Sequence, residues 1–178
     1  MRKIVLALAL VGFFMMGTND VSAQSYEKGS KVLNAGISLF GYNGIGIGAN
    51  ASFEVGMWPT GDFGVIGIGG LVGFHISSFG ALVGTPGYNA FEIGFAPRGT
   101  YHFTVIPVEN LDVYGAVGIN FRSTSFTYDG NSNLDYNDFD VFPSLTAGIR
   151  YYFSPTFGVF AEVGYDIAAL KGGVAFQF

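Results

Sequence analysis

The chain has 178 residues, of which 49% are hydrophobic and only 12% are charged, and its formal net charge is −5. This charge argues against nucleic acid as a partner, because phosphates favour a basic protein surface. The absence of cysteine excludes disulfides, thiolate metal sites and a lipid-modified cysteine. No stretch approaches the roughly 20 consecutive apolar residues that a membrane-spanning helix requires.

The start of the chain has the three parts of a secretory signal peptide. Two basic residues precede an apolar core at residues 4–16, and small residues at 21–23 form a cleavage site. As a helix the apolar core would reach only about 20 Å, which is too short to span a bilayer. We therefore expect a signal peptide at residues 1–23 and a single mature domain at residues 24–178.

The mature chain alternates apolar side chains with small or polar ones in segments of about ten residues. The segments are residues 31–40, 48–57, 66–76, 91–103, 113–122, 144–153, 158–166 and 173–178. A period of two predicts β-strands, eight in number and antiparallel. Pro97 and Pro143 each remove a backbone donor from a strand, so we expect a bulge, a strand end or a local break at both.

The polar face of these strands indicates where the apolar face lies. It consists mainly of Gly, Ser, Asn and Ala, whereas a sheet face in water normally carries many long charged side chains. Small side chains fit a narrow lumen, which puts the apolar face outside. The pattern therefore favours a transmembrane barrel over a soluble β-barrel with its apolar face inside.

Aromatic residues at the strand ends match the two girdles that membrane barrels place at the bilayer interfaces. One predicted rim holds Trp58, Phe63, Tyr101, Phe103, Tyr151, Phe153, Phe176 and Phe178, and the other holds Phe74, Phe91, Phe121 and Tyr165. An even strand number puts both termini at the periplasmic end. We then expect periplasmic turns at 58–62, 104–111 and 154–156, short external turns near 41–46 and 167–170, and longer external loops at 78–89 and 123–139.

The chain ends in Gly172-Gly173-Val174-Ala175-Phe176-Gln177-Phe178. With the signal peptide and the alternating strands, this ending resembles the small outer-membrane barrel family that includes OmpX and the membrane domain of OmpA. The resemblance implies an eight-stranded antiparallel up-and-down transmembrane β-barrel. It also implies that Phe176 and Phe178 form a signal for the barrel-assembly machinery. A periplasmic domain for binding peptidoglycan is not expected.

Seven charged residues occupy inward-facing positions of the predicted strands. They are Glu54, Glu92, Arg98, Arg122, Arg150, Glu162 and Asp166. Charges in so narrow a lumen must be paired, and the predicted register places Glu92 opposite Arg122 and Arg150 opposite Glu162. We interpret the set as a network that plugs and rigidifies the barrel, with a narrow ion or solute path as the alternative.

Other candidate sites are weaker. His75 and His102 face inward near opposite ends of the barrel, so we expect hydrogen-bonded lumen histidines rather than a shared metal site. Residues 129–135 space oxygen ligands as a calcium-binding loop does, and Asp140 stands at its last ligand position. Leu134 replaces the required Gly, however, and a solvated acidic loop is the better interpretation.

From the sequence we predict an integral outer-membrane protein that acts as a structural or surface-interaction protein through its external loops. Its expected partners are outer-membrane lipid, the barrel-assembly machinery and an extracellular partner of unknown identity. No cofactor and no metal are expected. A narrow channel for ions or small solutes is the first alternative. A lipid-modifying enzyme is the second, and it is disfavoured because no outward-facing His lies beside a Ser.

Overall fold

The computed structural model describes residues 26–80, 87–128 and 135–178. These residues form eight antiparallel strands: β1 (Lys31–Gly41), β2 (Gly44–Pro59), β3 (Gly64–Phe79), β4 (Tyr88–Phe103), β5 (Leu111–Tyr128), β6 (Tyr136–Ser154), β7 (Phe157–Tyr165) and β8 (Ala168–Gln177). Each strand pairs with the next one, and β8 pairs with β1 to close the barrel. The predicted up-and-down barrel is thus confirmed. The predicted signal peptide at residues 1–23 lies outside the described residues.

The described ranges contain no helix that is both long enough and apolar enough to cross a membrane.

The barrel has its apolar side chains outside and its polar side chains inside. Along most of β4, exposed and buried residues alternate strictly. The exposed set includes large apolar residues such as Ile93, Val117 and Leu145, each more than half exposed. An apolar band around the whole barrel would be unfavourable in water, but it matches the hydrocarbon region of a bilayer.

Aromatic residues surround the end of the barrel at which β1 begins and β8 finishes, which we call the periplasmic end. Exposed there are Trp58, Phe63, Phe103, Tyr151, Phe153, Phe176 and Phe178. Phe178 follows β8 and exchanges two backbone hydrogen bonds with Lys31 at 3.0 and 3.1 Å. The last residue of the chain therefore extends the seam between β8 and β1.

Both prolines lie where the neighbouring pairing is interrupted. The β4–β5 pairing lapses at Ala96 and Pro97 but resumes in the same register at Arg98. Pro143 continues the pairing of β6 with β5, whereas β6 pairs with β7 only from Leu145 onward. The expected local break is therefore present at Pro97, whereas at Pro143 the strand continues and the proline lies on an edge that β7 does not reach.

The external loops are shorter than the sequence analysis predicted, because the strands on either side are longer. The expected loop at 78–89 contains the end of β3 and the start of β4, and the expected loop at 123–139 contains parts of β5 and β6. With 18 and 19 residues, β5 and β6 are about twice as long as β7 and β8. One side of the barrel therefore projects beyond the other at its external end.

Candidate functional site

The lumen contains all seven charged residues that the sequence analysis selected. Each is at most 3% exposed. They are Glu54 in β2, Glu92 and Arg98 in β4, Arg122 in β5, Arg150 in β6, Glu162 in β7 and Asp166 directly after β7. Because a buried charge without a partner is strongly unfavourable, the contacts among them decide what the lumen can do.

Arg150 is the centre of the network in the periplasmic half of the lumen. Its Nη2 lies 2.5 Å from Glu54 Oε1, and its Nη1 lies 2.7 Å from Asp112 Oδ2. Its Nε donates a hydrogen bond to Asn34 Oδ1 at 3.1 Å. The guanidinium also covers the ring of Tyr114 at 4.0 Å from the centroid. One cation therefore connects four strands, and it leaves little space for a solute.

Glu162 is the centre of a second set of contacts. Arg98 donates to both of its carboxylate oxygens at 3.0 and 3.2 Å, and the Tyr114 hydroxyl donates at 2.7 Å. Lys171 Nζ lies 3.1 Å from the same carboxylate and also contacts Asp166. Since Tyr114 contacts both Arg150 and Glu162, the two sets of contacts are continuous.

The predicted pairing of Arg150 with Glu162 is wrong. The structure sets Arg150 opposite Phe160, a shift of two residues from the expected register. One residue of the shift comes from the tight turn, in which Ser154 lies opposite Phe157, and the other comes from an irregularity between Tyr152 and Ser154. Glu162 therefore binds Arg98 from across the lumen and Lys171, which lies opposite it on β8, rather than Arg150 on β6.

The predicted register of Glu92 is also wrong, but the two charges still approach each other. Thr124 lies opposite Glu92, and Arg122 lies two residues away along β5. Arg122 Nη1 is 4.0 Å from Glu92, whereas its Nη2 is 2.7 Å from Asp140 Oδ2. Asp140 is therefore the closer partner of Arg122, and its carboxylate, which the sequence compared with a calcium ligand, is committed to this ion pair.

The calcium-like segment at residues 129–135 has five residues with side-chain oxygen atoms. Four of them, between residues 129 and 133, lie outside the described residues. Asp135, at the start of the described part of the hairpin, accepts a hydrogen bond from the Tyr128 backbone N–H at 2.9 Å.

Sequence reasoning missed Asp112 and Lys171, which both contact the predicted residues. Asp112 lies two positions before Tyr114, and Lys171 lies two positions before Gly173. Extending the alternation by one step in each strand would have placed both side chains in the lumen. Both residues were omitted because the predicted fifth and eighth strands began too late in the sequence.

A tyrosine from the segment before β1 occupies the periplasmic mouth of the barrel. The ring of Tyr26 stacks on His102 with 3.5 Å between centroids, and only 3% of the residue is exposed. His102 contacts Asp112 through Nδ1 at 2.8 Å and Thr100 through Nε2 at 3.1 Å. Burial, reinforced by the nearby Glu54 carboxylate, raises the pKa of the Tyr26 hydroxyl above its usual range. A cavity of about 310 Å³ remains beside it, lined mainly by residues 103–112.

An apolar layer crosses the lumen beyond the charged network. Ile167, from the turn between β7 and β8, is fully buried and packs with Leu71 of β3 and Ala96 of β4. The side chain therefore reaches from one wall of the barrel towards the other. These three side chains offer water and ions no hydrogen bonds, which narrows the polar path through the lumen.

The external end of the lumen is covered by a cluster around Arg122. Its guanidinium lies over the rings of Tyr42 at 4.0 Å and Phe142 at 4.7 Å. Tyr42 belongs to the two-residue turn between β1 and β2, and the adjacent Asn43 donates a hydrogen bond to Glu92. The lumen is thus occupied at its mouth, in its middle and at its external end.

The projecting ends of strands β3 to β6 carry a row of aromatic side chains. By alternation from buried Ser77, Ala90 and Thr124, these rings lie on the inner side of the wall. We call the row the outer aromatic face; its members are Phe79, Tyr88, Phe126, Tyr128 and Tyr136. Ring centroids of neighbours along the row are 4.7 to 6.0 Å apart.

These features together define a small membrane barrel with an occupied lumen, and comparison with solved structures shows the same fold. The N-terminal β-barrel domain of Pseudomonas aeruginosa OprF matches with a TM-score of 0.50 and 19% identity, over 85% of this chain and 98% of that chain. Ail, the attachment invasion locus protein of Yersinia pestis, matches with a TM-score of 0.47 and 15% identity, over 84% of this chain and 95% of that chain. No protein-family model matches the chain, and a search of curated proteins finds no match. The barrel thus has the fold of the small outer-membrane barrels that the sequence resembles.

Proposed function

We propose that this protein is an integral outer-membrane barrel with a closed lumen, acting as a structural or surface-interaction protein through its projecting external wall. The observation that carries the proposal is the apolar layer formed by Leu71, Ala96 and Ile167. With its charges paired with one another, the described part of the lumen leaves little space for a solute. The part of the protein that remains available to a partner is the external end.

The external end has two features that suit contact with a partner. The first is the outer aromatic face, in which Phe79 is 42% and Tyr136 is 50% exposed. The second is the edge of β6 at residues 136–144, which pairs with β5 but with no other described strand. An unpaired strand edge and an exposed apolar face are both common recognition surfaces.

The remaining parts of the proposal concern targeting and assembly. Residues 1–23 would direct export, and the exposed apolar band would contact outer-membrane lipid. Phe176 and Phe178, at the end of the strand that closes the barrel, would be read by the barrel-assembly machinery. No catalytic role is proposed, because both histidines of the chain are buried in the lumen, away from the lipid-facing surface.

The narrow-channel alternative requires water to pass the apolar layer. Several polar atoms on its external side, on Glu92, Asn120, Arg122 and Thr124, have no hydrogen-bond partner among the described residues. These groups favour hydrated space in the external part of the lumen, and Arg98, Thr146 and Tyr152 carry further such atoms on the periplasmic side of Ile167. A channel would need this side chain to move.

The surface-interaction proposal is tested by shortening the two projecting hairpins to the height of β7 and β8. Bacteria that produce the native barrel and bacteria that produce the shortened barrel are compared for attachment to protein-coated surfaces at equal amounts of folded protein in the outer membrane. We expect the shortened barrel to lose attachment. Equal attachment by both strains, or no attachment by the native one, would contradict a surface-interaction role.

A further inference from the structure

The two faces of the wall exchange their polarity where strands β3 to β6 project beyond the rest of the barrel. Below this level the outward residues are apolar, as in Phe91 and Ile93. Above it the outward positions are polar; they are Ser78, Asn89, Ser125, Thr127 and Asn137. The inner positions at the same height form the outer aromatic face. This exchange indicates that the projecting wall has left the bilayer and presents an apolar inner surface to the external solvent.

The rings of the outer aromatic face form direct cross-strand pairs. Phe79 lies opposite Tyr88, Tyr88 opposite Tyr128, and Phe126 opposite Tyr136. Phe126 and Tyr136 are stacked with 4.7 Å between their centroids. A row of ring faces held in fixed positions by backbone pairing is a favourable surface for a cation, which is attracted to the negative face of each ring.

The charges on the projecting wall are acidic. The described part of the projecting wall contains no Lys or Arg above Arg122, which lies at its base and is committed to Asp140. Asp138 lies two residues from Tyr136 on the same face and is exposed. Aromatic rings together with uncompensated carboxylates are complementary to ammonium or guanidinium groups, and they disfavour an anionic ligand.

The free edge of β6 indicates what kind of molecule would bring these cations. Residues 136–144, apart from Pro143, which has no N–H, carry backbone donors and acceptors, and no described strand pairs with them on the side away from β5. An extended peptide that pairs with this edge would place every second side chain on the inner face, beside Tyr136 and Asp138. A small free cation would make no use of the edge.

We propose that the outer aromatic face binds an extended peptide segment rich in Arg or Lys, paired with the free edge of β6. This inference rests on the proposed surface-interaction function and names the chemistry of its partner. The cationic side chains lie on the rings of Tyr136 and its neighbours and pair with Asp138. The backbone hydrogen bonds supply affinity, and the aromatic and acidic face supplies selectivity for positive charge.

The test measures binding of a nine-residue peptide of alternating Arg and Thr to the full barrel in lipid nanodiscs. Matched peptides carry Gln in place of Arg, or N-methyl groups on alternate backbone nitrogens. We expect the Arg peptide to bind, and the Gln and N-methylated peptides to bind at least fivefold more weakly. Equal binding of the Gln peptide would overturn the role of charge, and equal binding of the N-methylated peptide would overturn the strand pairing. Absence of binding by the Arg peptide would overturn the proposal entirely.

Variants in the wall locate the site. Y136L and D138N are each expected to weaken binding of the Arg peptide about two- to fivefold, as loss of one exposed cation–π contact or ion pair would. F139L is the matched control, because Phe139 is on the same strand but faces outward. Unchanged binding by Y136L and D138N, or an equal loss in F139L, would overturn the assignment. If these variants attach normally in the surface assay while the shortened barrel does not, the proposed function stands and this inference fails.

Discussion

At the level of single residues, Arg150 decides the stability of the lumen. It contacts two carboxylates, an amide and an aromatic ring, and all of these groups are buried, with Asp112 the most exposed at 7%. The sequence predicted that Arg150 would be buried and paired. It did not identify Glu54, which comes from the non-adjacent strand β2, or Asp112, which lies opposite Arg150 on β5 but just outside the predicted strand.

Replacing Arg150 by Leu tests this network. The change leaves Glu54 and Asp112 buried near each other with their main cation removed, so we expect a loss of about 3–5 kcal/mol in the free energy of unfolding. The loss is measured by denaturant unfolding of the protein in lipid vesicles. Lys31→Ala is the control, because Lys31 is exposed at the periplasmic end and should change stability little. Similar stability in both variants would show that the observed ion pairs do not hold the barrel together.

At the level of strands and turns, alternation predicted the number, order and orientation of the strands correctly. It failed where the apolar and the polar face of a strand exchange sides. At Phe79, Tyr88 and Tyr136 the inner positions become aromatic and the outer ones polar, so these segments no longer matched the pattern of a membrane strand and were interpreted as loops. The physical cause is a change of solvent along the same strand, from lipid to water.

Turns also limited the prediction of register. A one-step change in turn geometry shifts every pair along a hairpin, and a sequence does not fix that geometry. In β6–β7 the tight turn and the irregularity between Tyr152 and Ser154 together moved the pairing by two residues. In β4–β5 the pairing begins only at His102 and Tyr114, which also moved it by two. Because the shift is even, the same side chains still face the lumen, and only their partners change.

The turn between β7 and β8 gives the clearest prediction for an element. Ile167→Gly removes the side chain that completes the apolar layer, and we expect it to give the barrel a measurable ion conductance in planar bilayers. Ala169→Gly alters an exposed position of β8 next to the same turn and should leave the conductance at the native level. A closed barrel in Ile167→Gly would show that the charged network alone is sufficient to block the lumen.

At the level of the whole molecule, the sequence predicted a plugged barrel but only part of what plugs it. The paired charges follow from alternation, because each occupies an inward position of a strand. Tyr26 and Ile167 could not be predicted in this way, because they enter the lumen from segments outside the strands, where no period applies. Their positions depend on how the connecting segments fold across the two ends of the closed barrel.

The central claim is that the lumen is closed, and single-channel conductance of the refolded native protein, residues 24–178, tests it most directly. A heat-modifiable shift on electrophoresis first establishes that the barrel is folded. We expect no conductance above that of the bare bilayer, because the apolar layer at Ile167 and the committed charges on its periplasmic side leave no continuous water path. Stable conductance events from the folded native barrel would contradict the account and favour a narrow channel.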